Sequence, residues 1–382
     1  MLCPEDELPV HQGAVPLGAA GDTQYTHHPF RYDRYWFSGH SPDGALYFVG
    51  ALGVYANAQV MDAAFMVATP GQQSGLIVSR PLESTPLPLS VGGIHVEVEQ
   101  PLQRLRFSVD SPEHGLAAEL AFTAAAAPVV EPRYTYEHAG HTVIDLTRMT
   151  QGGTWQGSLQ HAGGTVEVDG FRGTRDRSWG VRPIGRRPPP APGTPVNLMQ
   201  WYWLWVPLEF PGYSLLFHTN DDAAGVPWNR AATLVPHSGA APWELHDVQL
   251  AVVYHPGTRR IASVVLSARS AQGAVRAEAF TEWTACLRLA GYNHPTHGHG
   301  TAHGAPVVHH ETLATAGLSP NDPRDLHVQS PCRAVLWLPD GTQHEGRGMV
   351  EQMLLGPHAP SGFASFMDTA PALPAEHGEK QS

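Results

Sequence analysis

The tightest constraint on this chain is a hydrophobic period of two. In GIHVEVE, Ile94, Val96 and Val98 alternate with His95, Glu97 and Glu99, and further on Leu105, Phe107 and Val109 alternate with Arg104, Arg106 and Ser108. Such alternation marks strands with one face on a core and the other in water, the habit of antiparallel sheets. Strand-like runs recur at 45–52, 59–68, 116–124, 165–171, 201–208, 213–218, 248–255, 261–268, 274–289, 332–338 and 345–355. LAAELAFTAAAA has helical propensity, yet its place among strands favours a strand. With 39 glycines and 35 prolines, long uninterrupted helices are disfavoured. The expectation is an all-β protein of antiparallel barrels or sandwiches.

RRPPPAPGTP (186–195) is the best linker, because its prolines cannot join a central strand and stiffen a connection. The organisation read from the sequence is an N-terminal tail (1–25), a first β-domain (26–185), the Pro-rich linker (186–195), a second β-domain (196–368) and a C-terminal tail (369–382).

Charge excludes several function classes. The formal net charge is −12 and no basic run occurs, so nucleic acid is not expected as a partner. The only lysine is Lys380, which argues against Schiff-base, P-loop and kinase chemistry. GxGxxG after a strand, GxxxxGK[ST], HExxH and GxSxG are all missing. Cys3, Cys286 and Cys332 form no CxxC pair and read as buried or spare thiols of a reducing compartment. The N-terminus lacks a basic n-region and an apolar h-region, and no run of about 18 apolar residues occurs. A soluble cytoplasmic protein without a membrane span is expected. Oligomeric state is open.

Three constellations could carry chemistry. The first is GFRGTRDRSWGVRP (170–183), with Arg175, Asp176, Arg177 and Trp179 at a strand end. It reads either as an Asp–Arg corner holding a loop or as the polar floor of a pocket. The second is QWYWLWV (200–206), in which Trp201, Trp203 and Trp205 share one face and Tyr202, Leu204 and Val206 the other. The tryptophans are either an aromatic wall for an apolar ligand or carbocation, or inter-sheet packing. The third is GYNHPTHGHGTAHGAPVVHHE (291–311), one glycine-rich loop with His294, His297, His299, His303, His309 and His310. Zinc or nickel binding is one reading and a polar loop the other. The polar loop is favoured for His297 and His303.

At RMTQGGTWQGSLQHAGGTVEVDGFRGTRDRSWGVR (148–182) the chain resembles the tandem lipocalin-like proteins of the carotenoid hydratase (hydroxyneurosporene synthase) and AttH type. Within that group it is similar to a bacterial branch with an RDHSWGxR signature. YDRYWFSGHSPDGALYFVGALGVYANAQVMDAAF (32–65), IHVEVEQPLQRLRFSVD (94–110), GYNHPTHGHG (291–300) and GRGMVEQMLLGPH (346–358) extend the resemblance over most of 28–360. It implies two lipocalin-like antiparallel β-barrels or half-barrels with an apolar pocket, for 26–185 and 196–368. It also implies hydratase or pericyclase chemistry on polyenes and terpenoids. Where the hydratases resemble HDHNWG, Arg177 precedes Ser178 here, and 201–206 contain no carboxylate, the nearest being Glu209. Arginine cannot protonate an alkene at neutral pH. Asp176 is the one candidate acid in the signature, and flanking arginines that held it ionised would count against that role.

The expected function is therefore a cofactor-independent hydratase, isomerase or cyclase acting on an isoprenoid, polyketide or steroid-like molecule. Its candidate catalytic groups are Asp176, Tyr202, His218 and His299. Its candidate ligand-binding groups are Trp179, Trp201, Trp203, Trp205, Arg175, Arg177 and His294. No cofactor and no metal are expected. The alternative is a non-catalytic carrier of a hydrophobic small molecule, which the altered hydratase positions favour. A metal protein using the 294–310 histidines and an interaction scaffold are the lesser readings.

Overall fold

A computed structural model describes residues 2–9, 28–82, 88–138, 140–185 and 200–372. Both the linker at 186–195 and most of the expected tails lie outside these residues. Among the described residues the chain is all-β, with short 3-10 turns as its only helical elements. The first twelve strands are β1 (Arg31–His40), β2 (Tyr47–Tyr55), β3 (Val60–Ala68), β4 (Gln72–Pro81), β5 (Ser90–Val91), β6 (Ile94–Gln100), β7 (Arg104–Ser111), β8 (Leu116–Ala124), β9 (Val129–Val130), β10 (Tyr134–His138), β11 (His141–His161) and β12 (Gly164–Val181). The rest are β13 (Trp201–Phe210), β14 (Tyr213–Asp221), β15 (Pro227–Pro236), β16 (Trp243–Glu244), β17 (His246–Tyr254), β18 (Ile261–Ser270), β19 (Gly273–Thr281), β20 (Ala285–Cys286), β21 (Val307–Ala314), β22 (Val328–Trp337) and β23 (Gln343–Leu355).

They form two antiparallel sheets. The first has the order β21-β4-β3-β2-β1-β12-β11-β8-β7-β6-β5, with β9 and β10 on β11. It curls until β5 and β6 meet β3 and β4, nearly closing a barrel. The second has the order β16-β15-β14-β13-β23-β22-β19-β18-β17, with β20 on β22.

Three apolar clusters explain why some strands alternate and others do not. One lies inside the first sheet, around Phe37, Phe48, Phe65, Phe107 and Trp155. A second lies inside the other sheet, around Leu204, Phe210, Phe217 and Leu336. The third lies between the sheets and holds Trp36, Trp201, Trp203 and Trp205. Strands β6, β7 and β8 touch one cluster and keep the in–out alternation of burial. Strands β1 and β13 are buried along their whole length because each serves two clusters, one per face.

Two expectations are corrected here. The charged stretch 170–183 is not a corner at a strand end: through Val181 it is the second half of β12, paired on both sides with β1 and β11. A central strand tolerates this charge because every arginine on its inner face meets a buried acceptor. The 291–311 histidines are not all on one loop. His309 and His310 lie on β21, which leaves the C-terminal half of the chain to pair with β4 at the edge of the first sheet. Within the stretch expected to be a tail, Pro4–Glu7 makes a 3-10 turn whose Glu7 is buried.

Candidate functional site

Alternation along β12 sends its charged residues two ways. Arg175, Arg177 and Trp179 face the N-terminal turn. Arg175 donates from Nη1 and Nη2 to the two Glu7 carboxylate oxygens at 2.8 and 2.9 Å, and from Nε to Gln151 at 2.8 Å. Arg177 is paired with Asp33, donates to the Glu7 carbonyl at 3.1 Å and stacks on Tyr35. Trp179 is fully buried beside Arg177. These three were expected in the pocket, but the structure puts them behind it. Nor do the flanking arginines hold Asp176, which projects from the opposite face.

On that opposite face, Asp176 and Ser178 line a cavity of about 540 Å³ between the two sheets. The strand register sets the wall. Ser178 lies opposite Arg34 of β1 and Arg148 of β11, while Asp176 lies opposite Trp36 and Thr150. Arg34 and Arg148 are thus diagonal neighbours of Asp176, the separation at which long side chains still interact across strands. The facing wall is Trp201, Trp203 and Trp205 of β13, with Glu351 and Met353 of β23. Tyr292, His294 and His299 cover a third side. The volume and the mainly apolar lining suit a small organic ligand.

Burial pushes the Asp176 carboxyl up to about 6, against the pull of Arg148 and Arg34 in the other direction. No hydrogen bond from the described residues engages it. Glu351 is its counterpart. Burial raises it too, but donors from His327 Nε2 (2.8 Å), Trp203 Nε1 (2.7 Å) and Gln329 Nε2 (2.6 Å) bring it below the ordinary carboxylate range. Two carboxyls whose surroundings drive their proton affinities apart are the arrangement that separates an acid from a fixed anion.

The other expected catalytic residues are scattered. Burial drives His299 down to about 3, so it is neutral at physiological pH; it lines the cavity with Nδ1 3.8 Å from Asp62. Tyr202 points into the core of the second sheet, 3.2 Å from the Tyr254 hydroxyl and stacked on His358. His218 sits behind the wall, 2.7 Å from Asn229 Oδ1 and 3.4 Å from Glu131, whose carboxylate accepts from Arg148 Nε at 2.7 Å. Glu209 is buried against Ser214, apart from the cavity lining.

His294, His309 and Glu311 bring one ligand atom each within 4.8 Å of one another. However, His294 Nδ1 accepts from the backbone N–H of His297 at 2.9 Å and of Thr296 at 3.2 Å. The ring proton therefore sits on Nε2, 3.5 Å from Glu311, where a metal would have to displace it.

Sequence reasoning missed Arg34, Arg148, Arg182, Tyr292, His327 and Glu351. One signal was available for the first: YDRYWF (32–37) carries an arginine and an aspartate inside a run too aromatic to be a solvent-facing strand. Glu351 gave none, since VEQ reads as ordinary alternation.

A family model covers residues 2–364 of the chain, that of a family of unknown function, DUF8625. The chain belongs to this family. No curated protein matches it. Among solved structures, an AttH-like protein from Nitrosomonas europaea is similar with a TM-score of 0.51 at 12% identity, over 86% of this chain and 94% of that one. This likeness supports the tandem β-sheet fold expected from the sequence. Kievitone hydratase from Nectria haematococca has a TM-score of 0.48 at 12% identity, over 84% of this chain and 88% of its own. CghA with Sch210972 has a TM-score of 0.47 at 12% identity, over 90% and 93%. No helix among the described residues is long and apolar enough to cross a membrane.

Proposed function

We propose that this protein is a cofactor-independent enzyme of the hydratase, isomerase or cyclase kind, acting on an unsaturated, largely apolar small molecule between its two β-domains. The observation that carries the reading is Asp176: a cavity-lining carboxyl raised to about 6, without a hydrogen bond from the described residues, facing three tryptophans. A general acid works best with a proton affinity near the working pH.

In the first step the Asp176 O–H bond breaks and its proton bonds to one alkene carbon, using the π pair. The positive charge left on the other carbon faces the rings of Trp201, Trp203 and Trp205 and the Glu351 carboxylate. Aromatic faces and a fixed anion both stabilise a cation in a site shielded from water. Hydration ends with water adding to the cation and returning a proton to Asp176. Isomerisation or cyclisation ends with a different C–H proton going back to the same carboxylate. His299, neutral in this range, is a hydrogen-bonding group and not an acid. His218 is a positioning residue that holds Glu131, and through it Arg148.

The test is incubation of the purified protein with an apolar extract of its host in isotopically heavy water, followed by mass spectrometry. The expected result is label in a retained ligand with the wild type and none with Asp176→Asn. A ligand that is retained by both proteins and never labelled makes the chain a carrier.

A further inference from the structure

The cavity wall has an imbalance that a hydrocarbon ligand would leave unmet. Arg34 is 2% exposed, yet among the described residues no group accepts from its Nε, Nη1 or Nη2. Its guanidinium carbon lies over the rings of Trp36 and Tyr292, 5.4 and 4.9 Å from their centres. What stays unused is the in-plane N–H edge, the part that pairs with two oxygens at once. Arg148 differs: its Nε is hydrogen-bonded to Glu131.

The same wall carries further donors without acceptors among the described residues, including Arg182 Nε, Trp36 Nε1, Trp205 Nε1 and the Tyr32 hydroxyl. His299 Nε2 is also unpaired and can serve either way. Buried polar groups are as a rule satisfied, and a buried cation most of all. Of the two carboxyls lining the cavity, Glu351 already accepts from three side chains, and Asp176 in its proton-donating form carries no charge.

We infer that the ligand of this cavity is an apolar carboxylic acid, bound through its carboxylate to the N–H edge of Arg34 with its unsaturated body against Trp201, Trp203 and Trp205. A planar, singly charged, two-oxygen group matches one free guanidinium fork. The inference rests on the cavity being the ligand site, as proposed above. It narrows the substrate class from apolar molecules in general to acids, and it excludes plain hydrocarbons.

The experiment compares cis-parinaric acid, a fluorescent polyene acid, with its methyl ester by titration into the full-length protein. The ester keeps the body and removes the charge. The wild type should bind the acid at least about tenfold more tightly than the ester, the scale of a charge-assisted bidentate contact. Arg34→Met should abolish that preference by weakening acid binding more than ester binding, and Arg34→Lys should restore part of it. If Arg34→Met does not fold, judged by circular dichroism, Arg34→Lys and the wild-type comparison still decide. Equal affinity for acid and ester, or tighter binding of the ester, would overturn the inference while leaving Asp176 as proton donor. If neither probe binds the wild type, both the inference and the placement of the ligand site fall.

Discussion

At the scale of single residues, the site depends on which way each side chain leaves its strand. Asp176 and its neighbours Arg175 and Arg177 are adjacent in sequence and belong to different environments. The arginines are spent on Glu7 and Asp33, so Asp176 is left to burial, which sets its proton affinity. This gives a prediction with a definite sign. In the proposed mechanism the acid form of Asp176 is the active one, and burial moves its titration up to about 6. Turnover should therefore be full below that value and fall as pH rises through it, a single descending limb in kcat against pH. Asp176→Asn should lower kcat by about 10²-fold or more, the usual worth of a positioned acid. A profile unchanged between pH 5 and 8 would remove Asp176 from the mechanism.

At the scale of elements, β12 is the spine of the first sheet, and its glycine shows how closely it is held. Gly180 has φ +135°, and a Cβ there would sit 2.3 Å from the Asp145 carbonyl on β11. Backbone cannot retreat as a side-chain tip can, and L residues rarely adopt this conformation. Gly180→Ala should cost at least about 2 kcal/mol, seen as a lower midpoint in urea unfolding with little change in slope. This also explains why the sequence reads Ser-Trp-Gly at that point. The glycine serves the pairing of strands, the tryptophan fills the inner face, and the serine lies on the cavity wall beside Arg34 and Arg148. Strand β13 carries the same division of labour, with Tyr202, Leu204 and Val206 in a core and the tryptophans on the cavity side.

At the scale of the whole molecule, the two halves are interlocked. Strand β21 comes from the C-terminal half and extends the N-terminal sheet, and the inter-sheet cluster draws on both. Residues 28–185 alone would expose that cluster and an unpaired β4 edge, which favours aggregation over folding. The full chain should melt in one calorimetric transition, and the isolated fragment should give no cooperative one. The Pro4–Glu7 turn is a third partner. Glu7→Gln would leave Arg175 buried without its counter-ion and should destabilise the chain by about 3–5 kcal/mol. The double change Glu7→Leu with Arg175→Met should be milder, because it removes both charges together. Both effects are read from thermal or urea midpoints.

The sequence by itself determined that this is an all-β protein and that Trp201, Trp203 and Trp205 share a face, because side-chain alternation along a strand is a local property of the backbone. It also singled out Asp176. Only the tertiary structure decided that Asp176 faces the cavity and the flanking arginines do not, since that depends on which face of β12 meets the second sheet. It alone joined Glu7 to Arg175 and Trp203 to Glu351, pairs 168 and 148 positions apart. Contacts at such distances leave no periodic trace in a single sequence, because they are set by how sheets curl and stack and not by the order of residues within a strand.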